Sequence, residues 1–147
     1  LGGEQTFTEY VDALHAQGDI AGLYCSGTAW TQCSSTGDGD YDRREDFKKL
    51  NLKEDICTGP RQEAWSRVCN GDALRWGYDL CAARKGSVEL LAAETKKMVD
   101  AGVDYVQLFD QNLGSAPHVC YSDSHGPPAG PGAWMLPALH KLIKGIS

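Results

Sequence analysis

The sequence predicts an α/β domain: a parallel sheet with flanking helices, either part of a (β/α) barrel or a small open sheet. Three observations carry this. Two segments, Thr6 to Trp30 and Ser87 to Asn112, repeat one design of amphipathic helix, glycine, short apolar strand and polar loop, the signature of repeated α/β units. The second of these strands, Val103 to Phe109, is apolar enough to be buried on both faces, as strands of parallel sheets are. It stops at an acid, Asp110, with Gln111 and Asn112 next, and the carboxyl ends of parallel strands are where α/β barrels keep their chemistry.

The elements follow in order. Thr6 with Glu9 three residues on reads as a capping box, and Phe7, Tyr10, Val11 and Leu14 then recur at helical spacing until Gly18. Ile20 to Cys25 reads as a short buried strand closed by Ser26-Gly27. Thr28 to Asp42 is polar, with Trp30 embedded, and is expected to be a long loop, a feature that in compact domains usually carries function. Arg43 to Leu50 is a short charged helix and Asn51 to Pro60 is irregular. Gln62 to Asn70 is ambiguous between a helix and a short strand, Ser66 to Cys69, ending at Asn70-Gly71. Asp72 to Ala83 is weakly helical, with Leu74, Tyr78 and Cys81 on one side. Ser87 is expected to cap the clearest helix, Val88 to Ala101, whose apolar stripe is Val88, Leu91, Ala92, Thr95, Met98 and Val99. After the strand Val103 to Phe109, the Gly/Pro cluster of Gly126 to Gly132 punctuates the chain, and Trp134 to Ile146 forms a last helix.

Bulk properties narrow the function. The 147 residues suit a single domain but are short for a closed (β/α)8 barrel, which needs about 250. A net charge of -6 argues against nucleic acid or an anionic membrane surface as a partner, because both require basic patches. No apolar run approaches a membrane span. No signal-peptide pattern is legible, and the chain opens on Leu1 rather than Met, as it would if an upstream segment preceded it. The cellular address stays open between the cytoplasm and secretion. Cys25, Cys33, Cys57, Cys69, Cys81 and Cys120 form no CxxC pair, so no zinc knuckle, metal or cofactor is expected; their even number allows disulfides, but free, half-buried thiols are favoured in a chain of this length.

Asp110 is the strongest single candidate for chemistry: a partly desolvated carboxylate at a strand end, beside the amides of Gln111 and Asn112, suits a nucleophile or base toward an anomeric carbon. Its ordinary alternative is a turn-forming Asp. The loop carrying His118, Cys120, Tyr121, Asp123 and His125 reads as a sugar-binding mouth, in which His and Asp bond hydroxyls and Tyr121 stacks on a ring, or as a rigid connection. Two His and an Asp could also ligate a metal, although the spacing fits no standard zinc pattern. Tyr24, Trp30 and Asn70 are expected at the ends of the other strands, on the same edge as Asp110, with Trp30 either a carbohydrate platform or a cover for the core. A Ser-His-Asp triad, a P-loop and a dinucleotide fingerprint have no support.

The run Gly102-Val103-Asp104-Tyr105-Val106-Gln107-Leu108-Phe109-Asp110-Gln111 and the run Cys120-Tyr121-Ser122-Asp123-Ser124-His125-Gly126-Pro127-Pro128 resemble a poorly characterised bacterial family of glycoside-hydrolase-like (β/α)8 barrels, whose members carry a GVDGVYLDQ strand and a CYDPSHGHP loop. Leu14-His15-Ala16-Gln17-Gly18 with Leu23 to Thr28 resembles that family's IHAKG…GLYVSGT helix–strand pair, and Cys69-Asn70-Gly71 its cysteine-containing strand end. The resemblance implies a truncated TIM-type barrel and a glycosidase, with Asp110 as the catalytic carboxylate and His118, Cys120, Asp123 and His125 at the mouth. Phe109 replaces the usual Leu, and Pro127 stands where the second His of the loop would be. A galactosidase- or glucosidase-like exo-activity on a small-molecule or oligosaccharide substrate follows from the barrel class alone. Asp123 is the expected partner acid, with Asp38 and Asp40 as fallbacks, and two copies could assemble to complete the barrel. The rival expectation is a non-catalytic carbohydrate-binding or scaffold fragment. A third is a metal-dependent hydrolase using His118, Asp123 and His125.

Overall fold

The computed structural model describes residues 3–25, 27–34, 42–64, 66–69, 75–108 and 119–146. In chain order they form α1 (Glu4–Ala16), β1 (Gly22–Cys25), β2 (Ala29–Ser34), α2 (Arg44–Lys49), a 3-10 turn (Leu52–Asp55), β3 (Ser66–Cys69), β4 (Arg75–Asp79), α3 (Lys85–Asp100), β5 (Tyr105–Leu108) and α4 (Met135–Ile146). The protein is mixed α/β. One sheet is the parallel pair β1–β5, and the other is antiparallel with the order β2–β4–β3. The described residues show no barrel.

The internal repeat is real in three dimensions. β1 and β5 lie side by side and parallel, with Gly22 opposite Tyr105 and Cys25 opposite Leu108. The helix before each strand ends in the same way. In α1, the Gly18 N–H bonds the His15 carbonyl and the Asp19 N–H reaches the Leu14 carbonyl; in α3, the Gly102 N–H bonds Val99 and the Val103 N–H reaches Met98. This is the Schellman closure, which needs a left-handed residue at its centre, and Gly18 and Gly102 supply it at φ 82° and 89°. The two units then bury Val11, Ala21 and Val103 together, with Phe7, Leu14, Leu23, Met98 and Val106 around them. Asp104 ties them at the surface: its Oδ2 accepts the Ala21 N–H at 2.8 Å and meets His15 Nε2 at 2.7 Å. These contacts hold its carboxyl below the usual carboxylate range, the Ala21 amide first and His15 second.

Several boundaries differ from the sequence reading. α1 starts at Glu4, two residues before Thr6, with Gly3 at its N-cap and no side-chain cap, so the capping box is not used. α3 likewise starts at Lys85 without a side-chain cap, and Ser87 is a buried residue inside its first turn. The predicted loop Thr28 to Asp42 opens with strand β2, so Trp30 sits on a strand rather than in a polar loop. The weak helix expected over Asp72 to Ala83 is replaced by β4. There, Arg-Trp-Gly-Tyr-Asp pairs on both sides, with β2 and with Ser66 to Cys69, and two ladders of backbone hydrogen bonds outweigh a marginal helical pattern. Ser66 to Cys69 is the strand that the sequence allowed, but it belongs to the antiparallel sheet. The strand before Asn70 is therefore not a neighbour of β1 and β5.

Gly77 explains why β4 can occupy the centre of that sheet. A Cβ there would fall 2.0 Å from the carbonyl oxygen of Trp30, so only glycine lets the two backbones approach. The face beside it packs Trp30, Phe47, Leu52, Ile56 and Leu80, with Phe47 5.3 Å from the Tyr78 ring. Separately, α3 and α4 meet through Leu91 and the fully buried Leu142.

Two outcomes test this account. Gly77→Ala should destabilise the fold by about 3 kcal/mol or more, since the clash is with backbone that cannot give; an unchanged denaturation midpoint would contradict the β2–β4 pairing. Asp104→Ala should lower the melting temperature at neutral pH. Because the folded carboxyl is held below its ordinary value of 3.8, its contribution is present above that value and is lost as pH falls through the folded value. The gap between variant and parent should therefore narrow as the pH is taken below 3.8.

Candidate functional site

The carboxyl end of β1 opens onto a cavity of about 350 Å3 between the two sheets and α3, lined among others by Tyr24, Thr28, Trp30, Arg43, Ser87 and Glu94. Strand β1 delivers Tyr24, the turn after it delivers Thr28, β2 delivers Trp30, and α3 presents Ser87 and Glu94, about two turns apart on one face. Tyr24 is 51 % exposed, whereas Trp30 is 5 % exposed. The Trp30 ring lies 6.3 Å from Phe47 and carries the Arg43 guanidinium 4.2 Å above its centroid. The tryptophan is thus a core residue at the cavity wall, with no bare face for a sugar to stack on.

The polar equipment of this cavity is sparse but specific. Trp30 Nε1 and Ser87 Oγ are buried with no hydrogen-bond partner among the described residues, which is unusual for buried donors. Glu94 is the carboxylate of the lining, and it is engaged by Lys97 at 2.8 Å. Arg43 also reaches Asp46 at 3.8 Å.

The sequence-predicted residues separate into three groups. Tyr24 and Trp30 come together at this cavity. Tyr121, Asp123 and His125 lie elsewhere, on the segment between Val119 and Trp134, and none of them lines it. Asn70, Asp110, Gln111, Asn112 and His118, with the fallback acids Asp38 and Asp40, lie outside the described residues. Of the second group, Asp123 is exposed and Tyr121 is half-buried, its backbone N–H bonding the Thr58 carbonyl and its own carbonyl accepting from the Gln62 side chain at 2.7 Å. Its ring covers Gly130. His125 turns inward, placing Nδ1 3.3 Å from Cys120 Sγ.

That contact leads to a constellation the sequence did not reveal. Cys57, Cys81 and Cys120 are all buried, and their sulfurs lie within 4.8 Å of one another. They cluster with Ala83 and Trp134 packed against them. Shared hydrogen bonds make the three thiols unequal. Cys120 is held well below the usual thiol range, chiefly by hydrogen bonds from Cys57 and then Cys81, with the backbone N–H groups of Ser122 and Thr58 adding to the effect. Cys57 is correspondingly pushed far up, by Cys120 first, and Cys81 is pushed up to about 11 by the same neighbour. The cysteines are separated widely in sequence, so no spacing rule could find them; the one local signal was the Cys-x-x-x-x-His interval of Cys120 and His125.

No family model, curated protein or solved structure matches this chain. No helix among the described residues is long and apolar enough to cross a membrane.

The position of Arg43 gives a direct check on the cavity wall. Arg43→Ala should cost about 0.5–1 kcal/mol in chemical denaturation, the worth of a cation–π contact at a partly shielded site; no measurable loss would mean that the guanidinium does not rest on Trp30.

Proposed function

We propose that this chain is a segment of a glycoside-hydrolase-like (β/α) barrel and hydrolyses O-glycosidic bonds with Asp110 as its reactive carboxylate. The observation that supports this most is the parallel, in-register pairing of β1 with β5, each preceded by a helix that closes on glycine. Repetition of that unit is how such barrels are built, and their reacting groups stand at the carboxyl ends of the strands. Leu108 is the last described residue of β5, and Asp110 follows it by two positions in the sequence. The likeness of the β5 and Cys120–Pro128 runs to a bacterial glycosidase-like family supports the same role. Two copies of the chain assembled together would supply further strands for a barrel.

On this reading Asp110 attacks the anomeric carbon, or activates the water that does, and Asp123 protonates the leaving oxygen. A separation of about 5 Å between the two carboxyls gives retention through a glycosyl-enzyme, and about 6.5–9.5 Å gives inversion. The exposed Asp123 side chain has the solvent access that an acid recharging from water requires. Substrate would be an oligosaccharide or a small glycoside, with Tyr24, Gln111, Asn112, His118, Tyr121 and His125 as hydroxyl and ring contacts.

A second reading is favoured by one observation. Among the described residues, the lining of the cavity beside Tyr24 and Trp30 has one carboxylate, Glu94, already paired with Lys97, which suits sugar binding without turnover. A panel of nitrophenyl glycosides divides the two. The enzyme reading expects turnover of at least one member, reduced about 10²–10⁴-fold or more by Asp110→Asn. Full activity in that variant would remove Asp110 from the reaction, and saturable binding with no hydrolysis of any member would select the binding module.

A further inference from the structure

We propose that Cys57, Cys81, Cys120 and His125 form a structural metal site for one zinc-class divalent ion. The site is independent of the glycosidase reading and stands whether or not Asp110 is catalytic.

The geometry comes first. Tetrahedral zinc, with Zn–S about 2.3 Å and Zn–N about 2.0–2.1 Å, holds its sulfurs roughly 3.8 Å apart and a sulfur and a nitrogen roughly 3.5 Å apart. The three sulfurs here lie within 4.8 Å of one another, and His125 Nδ1 is 3.3 Å from Cys120 Sγ. Three donors of the type that structural zinc uses therefore lie close together, and the His125 imidazole sits beside one of them, Cys120, as the fourth. Three mutually close sulfurs are one more than a disulfide can use. Pairing any two would leave a buried thiol and an imidazole facing the bridge.

The surroundings suit a closed metal centre. The sulfurs belong to separate pieces of chain: Cys57 follows the Ile56 bridge to Leu80, Cys81 follows that same Leu80, and Cys120 and His125 sit on the 119–134 segment. Backbone amides already point at the sulfurs, from Ser122 and Thr58 to Cys120 and from Ala83 to Cys81, as the outer hydrogen bonds of thiolate ligands do. Trp134 and Ala83 pack against the group and the three cysteines are buried, as in the closed sites of structural zinc. The 119–134 segment contains Pro127, Pro128, Pro131 and five glycines and serines between Ser122 and Gly132, and among its described residues it has no helix or strand before Met135. A metal bond from this segment to two fixed strand ends supplies the fastening that its composition lacks. Binding gives a Zn(S)3N centre of net charge one minus and releases to solvent whatever protons the sulfurs carry, so loading strengthens as pH rises.

The experiment uses the full chain, reduced, stripped with chelator and reloaded. Titration with Co2+ should give one equivalent of a tetrahedral centre, with intense visible ligand-field bands and a near-ultraviolet thiolate-to-metal band, and Zn2+ should bleach them at one equivalent. Zn2+ should also raise the melting temperature in a concentration-dependent way. Cys120→Ser and His125→Ala should each lose the spectrum or weaken it by tenfold or more, whereas Cys33→Ser should leave it unchanged. Because a cysteine variant can fail to fold for other reasons, the parent chain decides the case alone. Absence of thiolate-to-metal absorption in the reduced parent overturns the proposal. So does a mass two daltons lower for the chain as isolated, with a disulfide mapped to two of Cys57, Cys81 and Cys120, combined with no metal uptake after reduction.

Discussion

The short backbone clamp around Leu80 organises most of this molecule. The Leu80 N–H bonds the Thr28 carbonyl, the Cys57 N–H bonds the Asp79 carbonyl, and the Cys81 N–H bonds the Asp55 carbonyl. Three pieces of chain, the start of β2, the end of the 3-10 turn and the end of β4, are thereby locked at one place. Alternation of side chains along an extended chain does the rest. Ile56 and Leu80 face each other across their bridge and enter the core with Trp30, Phe47 and Leu52. Their neighbours Cys57 and Cys81 turn to the opposite side and meet Cys120. One pair of extended segments thus builds the apolar core on one face and the thiol cluster on the other. Just beyond the clamp, Asp55 Oδ1 receives Arg84 Nε at 2.8 Å, with the carboxylate almost wholly buried. That pair sets where α3 begins, and Gly86 gives it room, since a Cβ there would meet the Asp55 carboxylate at 2.0 Å.

Periodicity and glycine made one half of the fold legible. The two helix–glycine–strand units were readable because each signal is local: apolar residues at helical spacing, a glycine where the helix closes, and a short apolar run after it. Their pairing as parallel neighbours followed from that repetition. The other half was hidden because its signals are not local. The spacing of Leu74, Tyr78 and Cys81 imitates a helix, and only the partners β2 and β3 turn Arg75 to Asp79 into a strand. Helix starts were misread for a related reason. Thr6 and Ser87 are good caps in isolation, but α1 and α3 begin before them, at Gly3 and Arg84, with no side-chain cap at either.

The site readings divide along the same line. Tyr24 was placed correctly at a strand's carboxyl end because strand direction follows from the local unit. Trp30 reached the same cavity from the other sheet, and as part of the core, the second of the two roles its sequence context allowed. The cysteines were read singly, as small buried apolar residues, and each of the three is buried as that reading expects. What spacing could not convey is that three such residues share one point in space. Metal-ligand patterns in sequence are recognisable only when ligands sit on one knuckle; here two strand ends and a loop supply them.

The thiol cluster also bears on the chain that follows β5. The chain leaves that strand at Leu108 and is next described at Val119, one residue before Cys120. One end of the intervening span, which carries Asp110 and His118, is fixed by the parallel ladder to β1, the other by Cys120, the Tyr121–Thr58 hydrogen bond and the Gly130–Cys120 hydrogen bond. The entropy cost of joining two fixed points grows only slowly with the length of chain between them, so firm anchors matter more than a short span. A metal at the Cys120 end would make that anchor as rigid as the strand at the other. The two features are then parts of one arrangement: the sheet fixes the chain at Leu108, and the sulfur cluster fixes it again at Cys120.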